Sequence, residues 1–223
     1  MGEISDYAKS IYLVTGLVGS ATGQSVTSGY GTLSDACNAA NNLFGAVTIK
    51  MIDDEKMCDT TGVIQPVNAD SVLFDGNGHT IKTSGAVDGI DVKTGNVTIR
   101  NVTIDGSHDV SDGIIVDDGV VYIGPSVSVG HYANALHVYD GIVTVNGFDV
   151  ESHTDVGIMA EGGETTVIMC KIDADAPVDG SALGTGDFLL ISGGWFLHKE
   201  DINDPTNNDR KVATYVRSEE AHV

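Results

Sequence analysis

The chain has 223 residues, enough for one sizeable domain, with 28 glycines, 4 prolines and a formal net charge of −21 from 32 acidic and 11 basic residues. Such a charge repels phosphate backbones and anionic membrane surfaces, which argues against nucleic acid and membrane partners and leaves cations and neutral glycans. No run of 18 apolar residues is present, so no helical membrane insertion is expected, and the three cysteines, Cys37, Cys58 and Cys170, form no CxxC pair.

The first 30 residues carry Glu3 and Asp6 where a secretory leader would be basic, and Gly16 and Gly19 interrupt their short apolar run. They read as a leaderless start, or as a chain trimmed of its leader. Residues 1–30 are taken as an attachment arm, with Tyr7, Ile11, Leu13, Val14 and Leu17 docking on a partner or on sister chains; a cap on the same chain is the alternative. In residues 32–44, Leu33, Ala36, Cys37, Ala40 and Phe44 recur as the apolar stripe of a short amphipathic helix, with Thr32 as its cap and Asp35 at the third position. The helix suits a solenoid end, where unpaired strand edges must be covered.

From there the chain repeats. VTIKMI (47–52) and SVLFDGNGHTI (71–81) are degenerate copies, followed by DGIDV (88–92), DGIIV (112–116), NALHV (134–138) and VGIMA (156–160). The third residues of these last four, Ile90, Ile114, Leu136 and Ile158, are spaced 24, 22 and 22, and a weaker copy puts Leu183 a further 25 on. A second strand follows each, with Ile99, Ile123, Val145, Val167 and Ile191 aligned, and a third ends at Ile104, Val129, Val150, Ile172 and Phe196. Apolar residues alternate within each strand, so one set points inward and the other to water. One coil of about 22 residues cannot bury its apolar face alone, so coils must stack into aliphatic ladders. The expected fold is all-β: a single-stranded right-handed parallel β-helix of about seven coils over residues 31–198, with a short N-terminal capping helix. Residues 199–223 read as a C-terminal cap or tail, and the handedness follows the general crossover rule.

The runs GTLSDACNAANN, VTIKMIDD, VLFDGNGHTI, NVTIRNVTIDG and LLISGGWF resemble right-handed β-helix segments of the pectate-lyase-like superfamily. In style they are similar to modules of bacterial surface and adhesin-like proteins and of phage appendages. The resemblance implies a fold rather than a reaction, because that superfamily holds lyases, hydrolases, tailspikes and passive stalks. It also implies self-association, most simply a homotrimer.

Candidate chemistry is sparse. Asp117, Asp118, Asp140 and Glu161 gather on one turn, a cation or glycan-contact candidate or a pair of hydrolytic carboxylates, although Asp-Gly is also ordinary turn chemistry. Asp88, Asp112 and Asn134 share a register; stacked aspartates repel unless a cation or a backbone amide intervenes, which is the weak case for calcium. His108, His131 and His153 line one edge at similar offsets, a candidate for a transition metal or a pH response, while His137 falls in another register. A lyase would need a basic residue beside a cluster of acidic ligands, and no aspartate cluster is expected in the register of Arg100 in the neighbouring coils. No cofactor is called for. The reading is a non-catalytic structural or binding module of a virion or extracellular cell-surface appendage, possible glycan contact included, with copies of itself or a larger assembly as partners. A polysaccharide-degrading enzyme, lyase or glycoside hydrolase, is the rival.

Overall fold

The alternation of β-branched and polar residues becomes strands whose inward side chains stack from coil to coil. In the computed structural model, which describes residues 10–107, 110–150, 154–183, 187–197 and 216–217, the chain is a parallel β-helix. A hairpin of β1 (Tyr12–Val18) and β2 (Gln24–Tyr30) and a helix α1 (Leu33–Asn41) come first. The first coil then holds β3 (Phe44–Met51), β4 (Glu55–Cys58) and β5 (Gly62–Ile64), and the second β6 (Asn68–Thr83) and β7 (Ile90–Val92). Next come β8 (Asn96–Asp105), β9 (Asp112–Val116), β10 (Val120–Ile123), β11 (Val127–Gly130), β12 (Asn134–Val138), β13 (Ile142–Asn146) and β14 (Phe148–Val150). The last are β15 (Val156–Ala160), β16 (Glu164–Asp173), β17 (Ala176–Asp179), β18 (Phe188–Leu197) and β19 (Val216–Arg217).

These strands form two parallel stacks. The short sheet runs β5-β7-β9-β12-β15-β17; the long sheet stacks β3, β6, β8, β10 with β11, β13 with β14, β16 and β18. The long sheet folds along a line where Asn77, Asn101, Ser126, Gly147 and Met169 all adopt positive φ, so it supplies two of the three faces of each coil. The expected ladders are in register: Ile49, Phe74, Ile99, Ile123, Val145, Val167 and Ile191 pair in succession, as do Ile90, Ile114, Leu136 and Ile158. Side chains such as Ile99, Ile123 and Val145 are fully buried, and each contributes roughly 1.5–3 kcal/mol through the water it sheds.

Two details differ from expectation. The turns number about six, close to the seven expected: the long sheet stacks seven rungs and the short sheet six, with α1 packed over β5 at the end of the short sheet. Asn41 makes that contact, its Nδ2 donating to Val63 O at 2.9 Å and its Oδ1 accepting from Gln65 N at 2.8 Å. Thr32 caps the helix as expected, accepting from Asp35 N at 3.2 Å, and Leu33, Ala36, Cys37 and Ala40 are buried, whereas Phe44 opens β3. The partner of Ile158 in the next coil is Val178, not Leu183, because that coil shortens and Leu183 falls in the turn after β17.

The other end of the cap is the hairpin. β1 pairs antiparallel with β3, burying Tyr12 and Val14. Glu55, 5% exposed, ties the two parts together: it accepts from Tyr12 OH at 2.5 Å and from Leu33 N at 3.1 Å. Burial raises its pKa, and the Tyr12 and Leu33 donors only partly offset that.

The corner between the sheets depends on glycine. Gly95, Gly119, Gly141 and Gly163 stack with φ of 100°, 108°, 99° and 70°, and a Cβ on Gly141 would lie 2.6 Å from Gly119 O. Gly141→Ala should therefore cost at least about 2 kcal/mol, from strain and collision together. Gly19→Ala, at φ 81° with open space around it, should cost only about 1 kcal/mol; urea midpoints check both. In the inward column Val97, Val121, Val143, Thr165 and Leu189, the Thr165 hydroxyl is buried without a partner. Thr165→Val keeps the shape and removes that oxygen, so calorimetry should show a gain of about 1 kcal/mol.

Candidate functional site

Residues that leave the core side of the short sheet meet on its outer face. Asp91, Ile115, His137 and Met159 form one outward column, and Lys93, Asp117, Tyr139 and Glu161 the next, at the sheet's exit. At its entry, Asp88, Asp112 and Asn134 follow one another in register. The period that builds the core thus also builds this polar face.

Its centre is His137, 6% exposed. Nδ1 lies 2.8 Å from Asp112 Oδ2 and Nε2 lies 3.0 Å from Glu161 Oε1, so one imidazole bridges carboxylates from the coils on either side. Tyr139 stacks on the ring at 4.0 Å. A neutral imidazole carries a proton on one nitrogen only, so two carboxylate contacts select the imidazolium. Burial opposes that charge, yet Asp112 and Glu161 together hold the His137 pKa above its ordinary value.

The stacked acids at the entry are held by amides. Asp88 Oδ1 accepts from Asp112 N at 2.9 Å, and Asp112 Oδ1 accepts from Asn134 Nδ2 at 2.7 Å. At the exit, Lys93 Nζ sits 2.8 Å from Asp91 Oδ2 and 2.7 Å from Asp117 Oδ2. The second oxygen of Asp91 is buried without a partner, and burial raises that carboxyl's pKa beyond what Lys93 offsets.

The four carboxylates that the sequence groups on one turn divide into two kinds. Asp118 and Asp140 are exposed and fold back on their own turns, accepting from Gly119 N at 2.6 Å and Gly141 N at 2.7 Å. Asp117 and Glu161 belong to the sheet face, two rungs and roughly 10 Å apart by the spacing of strands, each beside its own cation, Lys93 and His137. Of the histidine edge, His131 lies on another face, 2.8 Å from Asp105, which also pairs with Lys82; His108 and His153 lie outside the described residues. Burial works to raise the Asp105 pKa, but Lys82 and His131 bring it below the usual range. In the N-terminal segment Val14 is buried, Ile11 packs on the core and bonds Tyr30 and Ile52 through its backbone, and Leu13 and Leu17 are half-buried, while Tyr7 lies outside the described residues.

Two features escape the sequence reading. His137 is the histidine that the face is built around; its partners sit three positions before and two positions after its own place in the coil, one coil up and one down, so a search along single columns misses it. Asp53, Asp54 and His79 are the one set among the described residues whose ligand atoms converge within 4.8 Å. Asp54 Oδ1 there already accepts from Thr80 N at 2.9 Å and touches His79 Nδ1 at 3.2 Å; the Thr80 bond lowers the Asp54 pKa. An open groove of about 490 Å³ follows the fold line of the long sheet, lined by Asn77, Gly78, Asn101, Val102, Thr103 and Ser126. Among the described residues no helix is long and apolar enough to cross a membrane. Comparison with protein families, with curated proteins and with solved structures finds no match to this chain.

The His137 bridge sets a pH dependence. Its folded pKa is raised, so its stabilisation is complete below the ordinary histidine value of about 6.5 and is lost as pH rises through the raised value. His137→Gln should cost roughly 2 kcal/mol at about pH 6, leaving Asp112 and Glu161 without their cation, and the cost should shrink by about pH 9. Urea unfolding of both proteins across that range checks it; a pH-independent difference would contradict the bridge.

Proposed function

We propose that this chain is a non-catalytic structural or binding module, a β-helix of the pectate-lyase-like kind in a virion or cell-surface appendage. The observation that carries the reading is that the carboxylates of the outer face are already engaged. Asp117 is held by Lys93, Glu161 by His137, and Asp118 and Asp140 by their own turn amides. A hydrolytic pair needs one carboxyl poised to give a proton and another free to take one or attack, both facing a sugar. Here the side chains cross-link successive coils instead, which stiffens a rod. The acidic exterior keeps such a strand-rich rod dispersed. For ligands, the uncharged amides and hydroxyls of Asn77, Asn101, Thr103 and Ser126 along the groove suit a neutral glycan better than an anionic one.

The full chain, incubated with a panel of neutral and acidic polysaccharides, should release no reducing ends and no unsaturated ends while remaining folded. Cleavage of any of them that Glu161→Gln or Asp117→Asn abolishes, with folding intact, would replace this reading with the enzyme one.

A further inference from the structure

One group of polar side chains is not explained by the coil period. Asp53 and Asp54 stand in the turn between β3 and β4, and His79 lies on β6, one coil further on. Lys50 pairs with Asp75 and Glu55 with Ile81, so that turn runs alongside residues 76–80. The neighbouring stretch is itself a departure from the repeat. From Asp75 to His79 the chain takes four steps where its partner strand takes two, from Arg100 to Val102. The added residues turn through Asn77 and Gly78, both at positive φ, and His79 follows them to stand beside Asp54.

Each of the three side chains offers one ligand atom, and these atoms lie within 4.8 Å of one another, which no other set among the described residues achieves. Asp54 Oδ1 accepts from Thr80 N at 2.9 Å and lies 3.2 Å from His79 Nδ1. Two donors bound to one ion at about 2.0–2.1 Å, at tetrahedral angles, stand about 3.3 Å apart, so this pair already has the spacing of ligands. The Thr80 bond brings the Asp54 carboxyl below its usual range and so keeps it ionised. A carboxylate fixed by an outer donor in this way is the usual support of a metal ligand. Asp53 Oδ2, Asp54 Oδ2 and His79 Nε2 make no hydrogen bond among the described residues. The side chains of His79 and Asp54 are 28% and 43% exposed, which leaves room for an ion and its waters.

The donor set also selects the ion. Calcium and magnesium take shells of oxygen alone, and an imidazole among so few ligands does not suit them. Imidazole with carboxylates suits zinc and the neighbouring divalent transition metals. A chain carrying −21 raises the concentration of any cation at its surface. We propose that Asp53, Asp54 and His79 bind a divalent transition-metal ion of the zinc class, with water completing its shell. The ion clips the β3–β4 turn to β6, and so the first coil to the second, at the capped end of the rod. The inference holds whether or not the module is catalytic.

Calorimetric titration of the full chain with zinc chloride at about pH 7, where histidine is largely neutral, tests it. One equivalent should bind more tightly than any that follow, and calcium in excess should not displace it. In the labelled chain that equivalent should shift the amides of residues 53–54 and 78–80. It should also raise the thermal midpoint. His79→Gln should weaken the first equivalent at least tenfold and abolish the rise in midpoint, and Asp53→Asn should weaken it several-fold. His131→Gln, which removes another imidazole beside a carboxylate, should leave it unaltered. Tight binding that His79→Gln leaves intact would overturn the proposal, as would first-equivalent shifts centred on His131 or His137. Displacement of zinc by calcium, or no binding up to about 1 mM zinc, would overturn it equally. Should His79→Gln fail to fold, Asp53→Asn, whose side chain is exposed, and the amide shifts decide the matter.

Discussion

Everything in this molecule depends on the in-register backbone hydrogen bonding of one coil to the next. Because coils of 22–25 residues repeat through most of the chain, Ile114, Leu136 and Ile158 are placed one above another, and so are Ile123, Val145 and Val167. A slip of one residue would turn each aliphatic ladder outward and each acidic side chain inward. Ladders of buried Val and Ile thus fix the register, and the register then fixes every surface feature. The corner glycines belong to the same constraint: Val120, Ile142 and Glu164 donate to Gly95, Gly119 and Gly141 carbonyls, and the backbones approach too closely there for any side chain.

The acidic outer face follows from this stacking and is also its main electrostatic problem. Parallel stacking puts like residues over like, and a run of aspartates in one column would repel itself. The chain offsets this by changing residue type from coil to coil. Asn134 follows Asp88 and Asp112, Lys93 precedes Asp117, and His137 stands between levels that supply Asp112 and Glu161. Asp88, Asp112, Asp117 and Glu161 each find a donor one coil away, whereas Asp118 and Asp140 are held by their own turns. Side chains so arranged resist the sliding of coils past each other.

What was legible in the sequence was whatever repeats along a single column. The three ladders, the helix stripe with Thr32 as its cap, and the turn glycines are all column features, and they can be read from spacing alone. The failures came where a column rule does not apply. Val178 replaces Leu183 because one coil is shorter than the others, and over the first strand of the short sheet Asn41 of a helix makes the hydrogen bonds a strand would make. The His137 network lies on a diagonal between columns, where contact depends on side-chain reach rather than on period. Asp53, Asp54 and His79 meet across a turn and a strand in the same way.

The central claim, parallel pairing at a separation of one coil, is tested most directly by backbone nuclear Overhauser effects in the labelled full chain. The account predicts interstrand contacts from the 136–137 backbone to residues 114–115 on one side and to 158–159 on the other, each 22 positions away. Contacts joining consecutive strands within the coils, such as 120–123 with 127–130 in antiparallel register, would contradict it.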